Sequence, residues 1–231
     1  MTQVPGYRSF GGVHPDTAAL KNLLAHADVR APHTGKPFTE AAILGIAGGI
    51  GSGYSFCPSV LRYGMGAGVG LVSRHLAYTF DGTFHKAFLD RVGIERTILE
   101  ASSPSAGQKK AAAALEKGSP VLVWCTRMLS YHGGVHTPAL TGGAAWAVVV
   151  HGIDEAKGEA EVADLAPASL PATLESLGKA RSAVCTHKNR LLTVGAPKSI
   201  PRDRLGKAML EGIRSCVEAQ TKPRIKTFSL Q

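Results

Sequence analysis

The chain has 231 residues, of which 44% are hydrophobic and 19% charged, and its formal net charge is +9. This apolar content can fill a large core, which excludes an intrinsically disordered protein. The 27 glycines and 13 prolines are not periodic, which excludes collagen-like chains and coiled coils. The positive charge suits an acidic partner, but the basic residues are scattered and have few aromatic neighbours, so a solvated basic face is favoured over a nucleic-acid interface.

Two features predict a reduced, cytoplasmic protein. The four cysteines, at positions 57, 125, 185 and 216, lack C-x-x-C spacing, and the first ten residues, MTQVPGYRSF, lack the apolar core of a signal peptide. The uncharged stretch 41–61 is long enough to cross a bilayer, but its glycines, serines and proline make it a poor spanning helix. We therefore interpret this stretch as buried interior and expect no membrane association.

Two helices are predicted in the first fifth of the chain. Apolar residues recur at helical spacing over Asp16–His26, after Pro15, and a second helix over Thr39–Ile46 has Thr39 as its cap. A glycine-rich region, 45–70, follows, and such a run either allows close backbone approach or lines a ligand site. From Leu71 the pattern is again helical through Asp90, and Gly93 ends that helix.

The rest of the chain is richer in strands and predicts an α+β fold. VLVWC and AAWAVVVH are continuous apolar runs of the kind found in buried strands. The expected elements, in chain order, are a strand at 94–99, a helix at 108–116, strands at 121–125 and 144–151, a turn at 152–158, its hairpin partner at 159–165, a strand at 190–194 and a closing helix at 203–219.

The order and spacing of five segments resemble the N-terminal domain family of butirosin biosynthesis protein H. They are GVHPDTAALKNLLAH, TEAAILGIAGGIGSGY, SPVLVWC, AAWAVVVHGID and EVADLAP. The resemblance implies a papain-like fold in residues 1–195, with an N-terminal helix against an antiparallel sheet and a glycine-rich helical insertion. Residues 196–231 would hold a C-terminal helix and the start of the companion domain, so a truncated or single-domain relative is expected.

The resemblance also implies a chemistry, acyl transfer through a cysteine thioester in natural-product biosynthesis. The family has His-Cys before its first helix, whereas this chain has His14-Pro15, and Trp146 stands at the family's histidine position. Asp164 matches the residue that orients that histidine, but an orienting residue without its base has no catalytic use. We therefore expect a pseudoenzyme that binds an acidic carrier protein, a peptide or a biosynthetic intermediate. The expected ligand cleft comprises His14, Asp16, Glu40, Tyr54, Arg74 and Trp146.

Other interpretations remain open at this stage. An active acyltransferase or amidohydrolase would use a displaced nucleophile such as Cys57, and a structural subunit would use Ala144–Val150 or the glycine-rich segment as an apolar interface. His132 and His136 have a metal-like spacing without a third ligand, and Gly64–His75 resembles the start of G-x-G-x-x-G without the rest of a dinucleotide-binding unit. We expect neither a metal nor a cofactor; homo- or hetero-oligomers remain possible.

Overall fold

The computed structural model describes residues 1–49, 52–56, 69–73, 83–126, 146–184, 189–195 and 199–222. Six helices lie in these ranges: α1 (Pro15–His26), α2 (Glu40–Ala47), α3 (Thr83–Val92), α4 (Pro104–Glu116), α5 (Leu174–Ser182) and α6 (Arg202–Thr221). The strands are β1 (Thr2–Gln3), β2 (Ser52–Phe56), β3 (Val69–Ser73), β4 (Arg96–Leu99), β5 (Val121–Cys125), β6 (Trp146–Asp154), β7 (Glu159–Ala163), β8 (Leu170–Thr173) and β9 (Leu191–Val194).

Seven of these strands form one antiparallel sheet. Its order is β4-β9-β5-β6-β7-β8, and β1 pairs with the C-terminal end of β6, next to the turn into β7. Strands β2 and β3 form a separate antiparallel pair. The sequence-based α+β class is confirmed, while the papain-like assignment and the boundary between residues 195 and 196 stay predictions.

The central strand β5 supplies apolar side chains to both faces of the sheet. Leu122 and Trp124 belong to a core that they share with α1, α2, α3 and α6. Val121, Val123 and Cys125 belong to a second core, shared with α4 and α5. Because side chains alternate along a strand, the uninterrupted run VLVWC indicates a strand covered on both faces, and helices cover it on both.

The apolar run in β6 is an internal strand and not an interface. Ala147, Val148, Val149 and Val150 are each at most 1% exposed, between the neighbouring strands β5 and β7. This burial counts against a structural subunit that would associate through Ala144–Val150, although residues 144 and 145 lie outside the described ranges. None of the helices in the described ranges combines the length and apolarity needed to cross a bilayer.

Part of the glycine-rich insertion differs from the sequence-based prediction. Leu71, predicted to begin a helix, lies in β3 and pairs with Tyr54 of β2. The segment VGLVS contains two β-branched valines and a glycine, which favours a strand over a helix. The dinucleotide-binding interpretation of Gly64–His75 also needed a helix directly after the glycines. Strand β3 lies there instead, so that interpretation is wrong. The described part of the insertion is therefore a β-ribbon.

Two further boundaries were wrong, and two elements were missed. Helix α4 begins at Pro104, not Gln108, because the Ser103 hydroxyl accepts a hydrogen bond from the Ala106 N–H and caps the helix. Strand β6 runs on to Asp154, so the turn starts later than predicted. Strand β8 and helix α5 were not predicted, since LPATLESLGKARS is short and weakly patterned.

Candidate functional site

The start of α1 is held against the end of β7 by two glycines. The backbone N–H of Gly12 donates to the Leu165 carbonyl at 3.0 Å. Gly11 has a φ of +59°, and a Cβ there would lie 2.7 Å from the same carbonyl oxygen. A Cβ on Gly12 would lie 2.3 Å from the Cβ of Ala18. Only glycine fits at these two positions, and they allow the chain before α1 to lie against the residues that follow β7.

Glu40, the first residue of α2, caps the start of α1 from another helix. Its carboxylate accepts hydrogen bonds from the N–H groups of Val13 and His14 at 3.1 Å each, and from the Thr17 hydroxyl at 2.8 Å. Lys21 lies 3.6 Å away. Burial alone would raise the pKa of Glu40, but these hydrogen bonds and the Lys21 charge hold it below its usual range. A stable carboxylate therefore occupies the positive end of α1.

The position predicted to match the family's nucleophile is the first residue of α1. Pro15 occupies it, a residue with no nucleophilic atom and no backbone N–H, and His14 is the N-cap residue before it. Burial lowers the pKa of the His14 imidazole, and the nearby Glu40 charge partly opposes that change. His14 is thus disposed to remain neutral at pH 7 beside a permanent carboxylate.

Asp16 points into the core below the first turn of α1. Its Oδ1 lies 3.6 Å from Nε2 of His85, at the start of α3, and both side chains are buried. The His85 ring meets Trp124 of β5 edge-on, with 5.4 Å between ring centroids. Burial raises the pKa of Asp16 to about 7, while a hydrogen bond to its own backbone N–H opposes the rise. Asp16 and His85 therefore form a buried acid–imidazole pair beneath the first turn of α1.

The other side of this corner is built by β6 and β7. Trp146, the first residue of β6, pairs in register with Cys125 at the end of β5. Asp164 directly follows β7, whose Ala163 pairs with Val149. The backbone thus brings the positions that match the family's histidine and its orienting residue to the end of the sheet where α1 begins. The catalytic assignments of these positions stay predictions.

The side chains of four predicted site residues are not described. Tyr54 in β2 and Trp146 in β6 are described only by their backbone, and Cys57 and Arg74 lie outside the described residues, as do His132 and His136. Of the other cysteines, Cys125 is fully buried and Cys216 is in α6. Burial raises the pKa of Cys125 to about 12, with the Arg181 charge opposing it, so this thiol is protonated at neutral pH.

Within the described ranges no cluster of three or more His, Cys, Asp or Glu residues could hold a metal ion.

A second polar cluster lies near the other end of α1. The His151 ring of β6 stacks on Tyr7 with 4.1 Å between ring centroids, and its Nε2 lies 2.7 Å from the Ser169 hydroxyl. The Tyr7 ring also lies beside His26, at 5.6 Å. Burial, and then the nearby His26, lower the pKa of His151 to about 4. This histidine is therefore neutral at physiological pH.

Sequence reasoning missed His85 and the full role of Glu40. The sequence predicted Glu40 only as a residue of the ligand cleft, whereas its carboxylate accepts hydrogen bonds from the start of α1. Nothing in the local pattern of FHKAF distinguishes His85 from a surface histidine. Thr17 and Glu40 are 23 residues apart, too far for a local capping box, so only the packing of α2 against α1 reveals the contact.

These features define a three-layer α+β protein with a polar site where its first helix meets the ends of β6 and β7. The family model of butirosin biosynthesis protein H, N-terminal, matches residues 14–165, which is more than half of the chain. The chain belongs to this family. No curated protein matches the sequence. The matched segment begins at His14 and ends at Leu165, so it includes both sides of the corner described above.

Proposed function

We propose that this protein is a catalytically inactive member of its family, which binds an acidic carrier protein, a peptide or a biosynthetic intermediate without transferring an acyl group. The observation that carries the proposal is Pro15 at the first position of α1. Proline offers no lone pair that could attack a thioester, and its ring removes one of the N–H groups that would stabilise an adjacent anion.

The electrostatics of the helix start support the same conclusion. A catalytic thiolate is favoured at a helix N-terminus because unpaired N–H groups and the helix dipole stabilise negative charge. In this chain the Glu40 carboxylate already accepts the N–H groups of Val13 and His14. A second anion there would meet the charge of Glu40 at short range, which disfavours ionisation of any thiol brought to this place.

The surface around this site is suited to binding. Val13 is 90% exposed and Phe10 is 49% exposed, and both lie in the loop that leads into α1. Exposed apolar residues next to the start of α1 support a contact surface there, and the +9 charge favours an acidic partner. The neutral His14 imidazole beside these residues adds a hydrogen-bonding group.

The first test is intact-mass spectrometry after incubation with a short-chain acyl thioester of N-acetylcysteamine. We expect no acyl adduct on the wild type. An adduct that disappears in Cys57→Ala would overturn the proposal and establish an active enzyme with a displaced nucleophile. A Cys216→Ala variant is the matched control, because it removes a thiol from α6 and leaves the α1 corner unchanged.

The second test measures binding of an acylated carrier protein by titration calorimetry. We expect the wild type to bind and Val13→Ser to bind at least about tenfold more weakly, since a central apolar contact contributes more than 1 kcal/mol. Met209→Ser is the control, because Met209 is also exposed but lies on α6. Equal weakening by both variants, or no binding by the wild type, would count against a carrier-binding surface at α1.

A further inference from the structure

A small cavity lies on the face of the sheet opposite α1, between α4, α5 and β6. Its volume is about 30 Å³, and its lining includes Gln108 from α4, Val150 and Ile153 from β6, and Leu177 and Arg181 from α5. The apolar lining residues belong to the second core, so the cavity is separated by the sheet from the site at α1. It can be tested independently of the proposed function.

Arg181 is the polar group that distinguishes this cavity. The residue is 2% exposed, and within the described part of the chain its Nε and Nη2 have no hydrogen-bond acceptor. These two nitrogens lie on the same edge of the guanidinium, where two parallel N–H groups match the two oxygens of a carboxylate. The unused donors are therefore a complete bidentate fork.

The positive charge at the cavity has no buried anion to balance it among the described residues. Burial lowers the pKa of Arg181, but a guanidinium stays charged at neutral pH. The nearby Cys125 thiol is neutral, because burial raises its pKa to about 12. Glu155 lies at the exposed rim, where it accepts a hydrogen bond from Gln108 at 3.4 Å. A buried charge without a partner is unfavourable, so an anion from solution would be strongly favoured here.

The N-terminal end of helix α4 makes the electrostatic potential at this cavity more positive. Arg181 packs against its first turns, and a Cβ on Gly107 would lie 2.0 Å from Nη2, so glycine is needed for this close approach. The first turn of α4 contains no acidic residue. The N-terminal end of a helix carries positive partial charge, which adds to that of the guanidinium instead of opposing it.

We propose that this cavity binds the carboxylate group of a small aliphatic acid or of a peptide C-terminus through the Nε–Nη2 edge of Arg181. A cavity of about 30 Å³ accommodates only about two or three water-sized groups, which matches a planar carboxylate better than a phosphate. The apolar side chains of Ala111, Val150 and Leu177 would contact the first carbons of the aliphatic chain.

The test is titration calorimetry with propionate and with propionamide at fixed ionic strength. We expect propionate to bind with a Kd on the order of 1 mM, and propionamide, which has the same shape without the charge, not to bind. Arg181→Gln should weaken propionate binding at least about tenfold, because two charge-assisted hydrogen bonds are lost. Lys179→Gln is the matched control, since it removes one positive charge from an exposed position of the same helix.

A second variant separates loss of binding from loss of folding. Gly178 lines the cavity, and a Cβ there would stand 3.4 Å from the Cβ of Pro104, an ordinary contact between the two helices. Gly178→Ala should narrow the cavity and weaken propionate binding severalfold, while alanine favours the helix and keeps the protein folded. Unchanged binding in both Gly178→Ala and Arg181→Gln would overturn the proposal.

Two more titrations identify the source of the carboxylate and its selectivity. A short peptide with a free C-terminus is compared with its C-terminal amide, and tighter binding of the free peptide than of propionate would indicate a peptide ligand. Tighter binding of propionate would indicate a small free acid. Chloride that competes as well as propionate would overturn the fork assignment, because a spherical ion gains nothing from bidentate geometry.

Discussion

The Glu40 carboxylate accepts a hydrogen bond from the backbone N–H of His14 at 3.1 Å, and this contact joins the second helix to the start of the first. It places a fixed negative charge at the positive end of α1, directly before Pro15. The same contact therefore stabilises the fold and disfavours a second negative charge at the helix start.

Removing this cap should destabilise the protein. Glu40→Ala loses hydrogen bonds from Val13, His14 and Thr17, and we expect the free energy of unfolding to fall by about 1–2 kcal/mol in urea titrations at pH 7. Glu116→Ala, at an exposed position near the end of α4, is the control and should change stability little. Because the pKa of Glu40 is lowered in the folded protein, its contribution is present above about pH 4.5 and is lost as the pH falls further. Equal stability of wild type and Glu40→Ala would contradict the capping role.

A methyl group at Gly12 should disturb the same corner. The Cβ of Gly12→Ala would lie 2.3 Å from the Ala18 Cβ and 2.9 Å from Glu40 Oε1, so α1 or Glu40 must shift. We expect a loss of about 1–3 kcal/mol, measured by thermal or urea unfolding. Gly206→Ala, where a Cβ meets nothing within 4 Å inside α6, is the matched control and should be neutral or stabilising. A Gly12→Ala protein as stable as that control would show that this contact relaxes without strain.

His151 should make stability depend on pH in the acid range. Its folded pKa is about 4, below the unfolded value near 6.5, so the folded protein binds fewer protons than the unfolded chain between these values. The contribution is therefore complete above pH 6.5 and is lost as the pH falls toward 4, with a maximum of about 3 kcal/mol. His151→Phe keeps an aromatic ring against Tyr7 and should remove this part of the slope. Parallel pH profiles for the two proteins would show that His151 titrates normally.

Asp16 should give a slope of the opposite sign. Its folded pKa of about 7 lies above its unfolded value of 3.8, so the folded protein retains a proton that the unfolded chain loses. Stability from this group is present below pH 3.8 and is lost as the pH rises toward 7. Asp16→Asn, which resembles the protonated carboxyl, should be relatively more stable at pH 8 than at pH 5 when compared with wild type. An Asp16→Asn protein that is relatively less stable at pH 8 would mean that the ionised carboxylate is stabilised by His85 at 3.6 Å.

Introducing a cysteine at position 15 and a histidine at position 146 tests whether these positions match the family's catalytic pair. We expect the double variant Pro15→Cys, Trp146→His to form an acyl adduct with an acyl thioester, because the backbone still brings α1 and the start of β6 to one end of the sheet. Pro15→Cys alone should react at least tenfold more slowly, since it has no base and faces Glu40. Adding Glu40→Gln to the double variant should speed adduct formation if that carboxylate suppresses the thiolate. Equal rates with and without Trp146→His would show that position 146 does not reach the thiol.

Much of the fold could be predicted from local sequence patterns. The helical spacing of Leu20, Leu23 and Leu24 predicted α1, and the uninterrupted run VLVWC predicted a strand buried on both faces. These predictions succeed because apolar periodicity reflects which face of an element is covered. Gly93, with a φ of +75°, ends α3 as expected from its sequence position. Helix α5 was missed because a nine-residue helix with few apolar residues gives a weak periodic signal.

The sequence alone also determined that Pro15 and Trp146 are the residues at these positions, because identities need no coordinates; that the two positions match the family's cysteine and histidine stays a prediction. Only the tertiary structure decided that Glu40 caps α1, that Asp16 turns inward to His85, and that Arg181 is buried with an unused pair of donors. Each of these relationships joins residues far apart in the chain. Their geometry depends on how the helices pack against the sheet. The hydrophobic pattern of the sequence specifies which face of a helix or strand is buried, but it does not specify which polar side chains meet where two buried faces pack together.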